Sequence, residues 1–545
     1  MARMTGGRTV VESLKVHGVD TAFGVISTQT LDLFDALYDA QSNIRFVGGR
    51  LELGSGHMAD GFARASGRPG VLLTSSGPGA ADAMGSVGEA YHSASPLLNI
   101  TTNVEKDFID GRRGMTHEPK DQTTMFRSVT DWNALITDIE SIPDHVNEAF
   151  ERFRTHRPRS IALEIATDLL GQEADVEVFP PMKGPVPQGD PAKIEQAADA
   201  LMKARRPVIL VGEEVAHCRA TDEVITLAEA LGAPVVSSEG GKGSFPEDHS
   251  LSLGLAMKGG SWGENPLLDF IKTCDLVLVV GAILPYRSTV EMGLSLPQSA
   301  IHILLDGDAI GRNYPAQIPI VADSKAALGQ IISLMDGRDV HKGEAFQAEV
   351  RDIKGRIYEN LKEQWPNPLY ALEAMRSVLP RNTITCWDTT VPSTRASRAF
   401  QVYQPHTYMF PHGWHGLGFS FPASLGAKVA SPDSPVVCVT GDGGFQYNMQ
   451  ELGTAAQYGI SPVVVIFNDD AWGVLKQRQE ENFDGRVIAT DLVNPDFVKL
   501  AESYGFQGTR VSTVDELVKA LDSAVRSHSL QIIDAQIPQG FINFR

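Results

Sequence analysis

Cysteine is scarce in this chain. Its 545 residues hold four, Cys218, Cys274, Cys386 and Cys438, far apart and in no metal-ligand or disulfide spacing. A cysteine-built metal site and a disulfide framework are thereby excluded. Cys274 and Cys438 sit in apolar runs and read as small core residues, which fits a reducing compartment. Long hydrophobic runs are missing as well. Nowhere do 18 apolar residues follow one another, and the N-terminal MARMTGGRTVVESLKVHG has no apolar signal region. The expectation is a soluble, cytoplasmic protein without a membrane partner. Positive charge is in deficit: 47 Lys and Arg stand against 67 Asp and Glu, a net charge of −20. A phosphate-backbone binder needs clustered Lys and Arg, so no nucleic-acid partner is expected.

What is present is the alternation of short apolar runs with helix-period stretches, the pattern of parallel α/β domains. At this length about three domains are expected. The first, residues 1–178, carries strand candidates TAFGV (21–25), IRFVG (44–48), GVLLTS (70–75) and PLLNIT (96–101), with helical spacing from Leu53 to Ser66. FPPMKGPVPQGDP (179–191) reads as a linker. The second, 190–335, holds PVILVGEEV (207–215), APVVSS (233–238), CDLVLVVGA (274–282) and AIHILLDGD (300–308). A charged stretch, 335–365, reads as a solvated helix and connector. The third, 360–545, includes NTITCWD (382–388), PVVCVTGDG (435–443), PVVVIFNDD (462–470) and LQIIDAQI (530–537). The first and third units share a strand–loop–helix grammar. The fold class is α/β, with three doubly wound parallel sheets.

One segment carries chemistry. PVVCVT is apolar throughout, as a strand buried on both faces should be, and stops at Gly441-Asp442-Gly443-Gly444. Helical spacing follows from Phe445 to Tyr458. The next strand, PVVVIF, ends in Asn468-Asp469-Asp470. Both polar clusters then emerge at carboxyl ends of parallel strands, where open α/β sheets bind ligands. Adjacent strands lie about 4.8 Å apart, so Asp442 and Asp469 can reach one ion. Oxygen ligands suit Mg²⁺, which takes one or two carboxylates plus phosphate and water oxygens. The glycines admit a ligand to the backbone, and the helix N-terminus favours an anion. The competing reading is a pair of ordinary Asp and Asn turns; LDGDAIG (305–311) is such a turn, with no Asn-Asp partner at the same offset.

GDG followed by an Asn-containing cluster 26 residues after its Asp resembles the signature of thiamine-diphosphate (ThDP) enzymes. MADGFARASGRPGVLLTSSGPGAADAM (58–84), PHGWHGLGFSFPASLGAKVA (411–430) and KGSFPEDHSLSLG (242–254) are similar to stretches of the acetolactate synthase-like group. The resemblance covers essentially the whole chain. It implies a pyrimidine-binding domain and a diphosphate-binding domain flanking a Rossmann-like central one. It also implies Asp442 and Asp469 as Mg²⁺ ligands, with Ala471 supplying a backbone carbonyl. Asp469 stands where many members have Asn. Gly441, Gly443, Gly444, Gly77, Trp472 and Gly473 would line the cofactor, and Leu417 would prop it into a bent shape. Glu52, in RLELGSGHMADG, aligns with the glutamate that contacts N1′ of the aminopyrimidine. A hydrogen bond there promotes the imino tautomer, which takes the C2 proton of the thiazolium.

On the substrate side the resemblance implies Thr28 and Leu475 where simple decarboxylases carry two acids; no His pair occurs in the expected region, where GMTHEPKDQTT (114–124) supplies His117 and Gln122, candidates to polarise an acceptor carbonyl. Without acids to protonate the intermediate, capture by a second carbonyl compound is better served than aldehyde release. The Arg-Phe-Asp-Asp-Arg stretch of flavin-binding relatives is replaced by VVGAILPYRST (279–289), which argues against FAD. The expected activity is carboligation after 2-oxo acid decarboxylation, with a small carbonyl compound as substrate. The alternative is a lyase or hydrolase on 2-hydroxy ketones, diketones or 2-hydroxyacyl compounds. A catalytically silent subunit would have lost Glu52, Asp442 or Asp469, and all are present. The resemblance further implies a homodimer at minimum and a homotetramer as the expected assembly, since Glu52 and Asp442 would meet only across a subunit interface.

Overall fold

The computed structural model describes residues 1–545 apart from 182–183, 258–263, 292, 339–342, 538–539 and 545. Three six-stranded sheets, every pairing within them parallel, follow one another along the chain. The first is built from Thr21–Gly24, Arg45–Gly48, Gly70–Thr74, Leu97–Asn103, Trp132–Ile136 and Ile161–Ala166. The third uses Ile384–Trp387, Tyr408–Met409, Val436–Gly441, Val463–Asn468, Gln507–Val511 and Gln531–Gln536. Numbered within each sheet, both have the spatial order 2-1-3-4-6-5. The shared grammar of the two units is therefore a shared topology. The central sheet, from Pro207–Val211 to Ile318–Val321, has the order 3-2-1-4-5-6 of a dinucleotide-type fold. A short antiparallel pair, Ala2–Thr5 with Glu173–Val176, ties the two ends of the first unit together.

Each unit adds two strands to the four that its apolar runs pointed to. Ile161–Ala166 contains the buried Glu164, and Gln507–Val511 is polar and lies at a sheet edge. Neither makes the uninterrupted apolar run of a central strand. The helix expected from Phe445 instead begins at Asp442 and breaks at a 3₁₀ turn, Met449–Glu451, before resuming over Leu452–Tyr458. In the charged connector, Glu344–Gln364 is helical, and it buries Phe346, Val350, Ile353 and Leu361 along one stripe.

The first and third units share one hydrophobic core. Phe23, Met58, Phe62 and Leu72 from the first pack in the same cluster as Phe421, Leu425, Phe445 and Ile466 from the third. Its spine is a helix pair, Glu52–Ser66 against Ser420–Ala430. Gly61 and Gly426 bring the two backbones close: a Cβ on either would collide with a backbone carbonyl of the other helix, at Ala423 or Met58. Gly67, in the left-handed region at φ +64°, ends the first helix. This pair sets where the start of the Glu52 helix lies relative to the third sheet.

Candidate functional site

Val436–Gly441 and Val463–Asn468 run side by side with Gly441 opposite Phe467, so the chain leaves the sheet at Asp442 and Asp469 on neighbouring strand ends. Asp442 is buried and Asp469 partly buried. Burial and then the Asp442 charge push the Asp469 carboxyl up to about 6; burial also raises Asp442. Two carboxylates held this close in a desolvated site repel unless a cation lies between them. Asn494 gathers the cluster, donating to Asp442 Oδ2 at 2.7 Å, Asp470 Oδ1 at 2.9 Å and Asn468 Oδ1 at 3.0 Å. Among the described residues no group of three or more His, Cys, Asp or Glu could hold a metal ion. Two carboxylates would leave the remaining positions of a bound cation to carbonyl, phosphate and water oxygens, a coordination that Mg²⁺ accepts.

Glycines open the space beside this pair. A Cβ on Gly443 would overlap the Trp472 ring, and one on Gly473 would overlap the Asp469 carboxylate. The Leu417 loop is fixed by Asp388, which is fully buried. Both of its oxygens accept from Gly418 N–H at 3.1 Å, and Oδ2 also accepts from the Ser420 hydroxyl at 3.1 Å. Asn448 Nδ2 holds the Gly418 carbonyl at 2.8 Å, with Gly418 at φ +83°. Over these residues opens a cavity of about 610 Å³. Its walls include Leu417, Gly441, Asp442, Gly443, Gly444, Asp469, Ala471, Trp472, Gly473 and Leu475. The opposite wall comes from the central domain, with Glu239, Ile283 and Arg287, and Arg478 adds a second cation. Glu239 is pushed up to about 8 by burial and by Glu89, so at neutral pH this wall is largely uncharged there.

A second cluster forms in the first domain. Glu52 opens its helix and is partly buried; burial, with a smaller push from Asp82, raises its carboxyl above the ordinary range. Nearby, a Cβ on Gly79 would stand 2.5 Å from Ser75 Oγ and 3.0 Å from Glu52 Oε1. Gly77, at φ +62°, donates its N–H to Gln122 Oε1 at 2.9 Å. Glu52 is not among the residues lining the large cavity. One chain therefore displays two distinct clusters: a carboxylate pair with a glycine cradle, and a single half-buried carboxyl.

Three family models match in chain order: the thiamine pyrophosphate enzyme N-terminal TPP binding domain over residues 4–125, the central domain over 194–331, and the C-terminal TPP binding domain over 388–535. A probable acetolactate synthase large subunit of Methanocaldococcus jannaschii is 32% identical over 552 residues, covering 98% of this chain and 92% of that protein. The acetolactate synthase large subunit of Haemophilus influenzae is 30% identical, covering 99% and 95%. The isozyme 3 large subunit of Escherichia coli is also 30% identical, covering 98% and 95%. This chain belongs to the thiamine pyrophosphate enzymes.

Thiamine diphosphate is thus the cofactor of the family to which this ThDP enzyme belongs. Ten of the expected site residues come together in the third-domain cavity; Glu52, Gly77, Thr28, His117 and Gln122 do not join them there. Gln122 is hydrogen-bonded within the first domain. It is buried, and its amide is already used: Oε1 on Gly77 N–H, Nε2 on the Thr102 carbonyl at 2.8 Å and on Glu164 at 3.1 Å. It shapes the Gly77 turn and has no free amide group to polarise a substrate carbonyl. His117, at φ +64°, packs its backbone carbonyl beside Gly77. Thr28 is exposed, its hydroxyl donating to Gln29 Oε1 at 3.0 Å. Sequence reasoning missed Asp388, Asn448, Glu451 and Asn494. Asp388 follows the strand Ile384–Trp387 and could have been found as one more carboxylate after an apolar run; Asn494 lies in a loop with no such signal.

The central sheet reverses its strand order between Pro207–Val211 and Leu276–Val280, the usual dinucleotide crevice. Here the backbone amides at that point are occupied: Gly212 N–H donates to Val280 O at 2.8 Å and Glu214 N–H to Gly281 O at 3.1 Å. Arg157, reaching in from the first domain, is buried against Glu213 and Glu214, 2.9 Å from the latter. Glu214 Oε2 also accepts from Leu305 N–H at 3.1 Å.

Proposed function

We propose that this chain is a ThDP- and Mg²⁺-dependent enzyme that makes or breaks a C–C bond beside a carbonyl. Its donor is a 2-oxo acid such as pyruvate, and a second carbonyl compound accepts the transferred acyl unit. The observation that carries the reading is the Asp442–Asp469 pair at adjacent strand ends beside the Gly443–Gly444 cradle, within a cavity large enough for cofactor and substrate together. The names of the full-length relatives, acetolactate synthase large subunits, support the same class of reaction.

Asp442, Asp469 and the Ala471 carbonyl would hold the metal. Gly443, Gly444 and the N-terminus of Asp442–Asn448 would hold the diphosphate, and Leu417 would support the cofactor ring. When bound, ThDP supplies an electron sink for the carbon released next to a carbonyl. The chain's own part is to hold and share a proton at Glu52. Burial raises that carboxyl above its ordinary range, and from that position it would hydrogen-bond a ring nitrogen of the cofactor. Arg287 and Arg478 would meet the carboxylate of the 2-oxo acid. Thr28 and Leu475 carry no ionisable group, which favours transfer to an acceptor over protonation.

A dinucleotide does not fit the central crevice in this reading. A diphosphate would face two carboxylates and amides already bonded to the neighbouring strand, so we assign no role to FAD. The separation of Glu52 from the large cavity supports a homodimer at minimum, in which Glu52 of one copy serves the cavity of another. A homotetramer of cytoplasmic residence extends that assignment. Sedimentation of an active monomer would refute it.

The test is incubation of the purified chain with ThDP, Mg²⁺ and a panel of 2-oxo acids, 2-hydroxy ketones and cyclic diketones, with products identified by mass spectrometry. A new C–C bond formed from a 2-oxo acid is expected. Cleavage confined to 2-hydroxy ketones or diketones reassigns the enzyme as a lyase, and absence of ThDP binding removes the proposal altogether.

A further inference from the structure

The helix that carries Glu52 has no cap of its own. Leu51 occupies the N-cap position and offers no side-chain acceptor, so the amides at this end need a partner from elsewhere. For the Leu51 amide, and for the Arg50 amide just before it, the partner is Glu451, in the third domain. Its Oε1 accepts from Arg50 N–H at 3.0 Å and Leu51 N–H at 3.2 Å, and its Oε2 from Arg50 N–H at 3.2 Å and the Thr454 hydroxyl at 2.6 Å. Glu451 has no exposed surface. A carboxylate at a helix N-terminus also complements the helix dipole. Gly54, in the first turn of the same helix, makes room for it: a Cβ there would stand 2.5 Å from Glu451 Oε1. The same segment grips the preceding loop, with Tyr458 Oη accepting from Gly48 N–H at 3.0 Å and Arg50 Nη2 donating to Gln457 at 2.7 Å.

We propose that Glu451 is a positioning residue for Glu52. It fixes the backbone from which Glu52 projects, and it does so from the segment that begins at Asp442. The 3₁₀ turn Met449–Glu451 is where that segment departs from a continuous helix, and it delivers the carboxylate to Arg50 and Leu51. The residues from Asp442 to Tyr458 thus serve cofactor anchoring at one end and orientation of the proton-sharing carboxyl at the other. This inference rests on the reading of Glu52 given above.

The experiment compares full-length wild type with Glu451→Ala, Glu451→Gln and Gly54→Ala. Amide hydrogen exchange at Arg50 and Leu51 is measured with and without ThDP and Mg²⁺, alongside ThDP affinity, kcat and KM. Losing a charged acceptor should speed exchange at both amides about tenfold or more in Glu451→Ala. A similar fall is expected in kcat, with KM and ThDP affinity within about threefold, because the diphosphate anchor is untouched. Glu451→Gln keeps a carbonyl oxygen for the two amides and should recover most of the lost kcat. Gly54→Ala, by displacing the carboxylate, should mimic Glu451→Ala even though Ala is the better helix former; it also covers the case in which Glu451→Ala does not fold. Unchanged exchange at Arg50 and Leu51, or lost ThDP affinity with kcat intact, overturns the proposal. Wild type that binds no ThDP is instead a failure of the functional reading, and the exchange comparison stands apart from it.

Discussion

Gly61→Ala sets two effects of opposite sign against each other. In an isolated helix, replacing Gly by Ala gains about 1 kcal/mol, because the unfolded chain loses freedom and the helix loses none. At Gly61 the new methyl meets the backbone of Ala423 on the facing helix, well inside contact distance of its carbonyl oxygen. Backbone cannot swing aside as a side chain can, so the helices must part by roughly 1 Å, forfeiting packing along their common face. Overpacking typically costs about 1–3 kcal/mol, and a backbone obstacle places this site at the upper end. The net expectation is destabilisation by about 1–2 kcal/mol, a fall of about 1–3 °C in the midpoint of the coupled first and third domains. Gly355→Ala is the control. It lies exposed in the Glu344–Gln364 helix with nothing within 4 Å of the new Cβ, so it should stabilise by up to about 1 kcal/mol. Thermal unfolding of the apoenzyme at one protein concentration, followed by circular dichroism, compares the two. If Gly61→Ala raises the midpoint as Gly355→Ala does, the close approach of the two helices is wrong.

Three further outcomes are expected. Asp469 has its carboxyl raised from 3.8 to about 6 in the folded, metal-free chain. Its ionisation therefore opposes folding: the penalty is absent below the unfolded value, grows as pH rises, and is complete above about 6. After allowance for partial exposure, Asp469→Asn should stabilise the apoenzyme by about 1–2 kcal/mol at pH 8 and by nothing near pH 3.5, and should retain Mg²⁺-dependent activity; a pH-independent difference in unfolding midpoint, or complete loss of cofactor binding, contradicts the carboxylate pair. Arg157→Met leaves Glu213 and Glu214 buried without their cation and should destabilise by about 3–5 kcal/mol at neutral pH, with partial recovery as the carboxylates protonate on acidification, read by urea unfolding across pH. Chelation of divalent metal should release ThDP, since the unscreened Asp442 and Asp469 would face its diphosphate, and equilibrium dialysis with and without chelator would detect retention that speaks against a metal bridge.

The local chemistry of this protein was legible in its residue order. A buried parallel strand announces itself as an apolar run, and a turn that must admit a ligand announces itself as Gly-Asp-Gly-Gly, because both depend on near neighbours along the chain. Val436–Gly441, Val463–Asn468 and the carboxylates that follow them lie where those rules put them. Edge strands such as Gln507–Val511 escaped, since an edge does not need an apolar face on both sides. The role of Gln122 was likewise invisible: its type allowed a substrate contact, and only folding revealed that Gly77, Thr102 and Glu164 already take its amide. Glu451 reaching Arg50 and Leu51, Arg157 pairing with Glu213 and Glu214, and the absence of Glu52 from the walls of the Asp442 cavity belong to the tertiary structure alone. These contacts join residues tens to hundreds of positions apart. They exist because packed helices and sheets leave buried charges and amides that must find partners wherever the folded chain brings them, and no local pattern records which partner that will be.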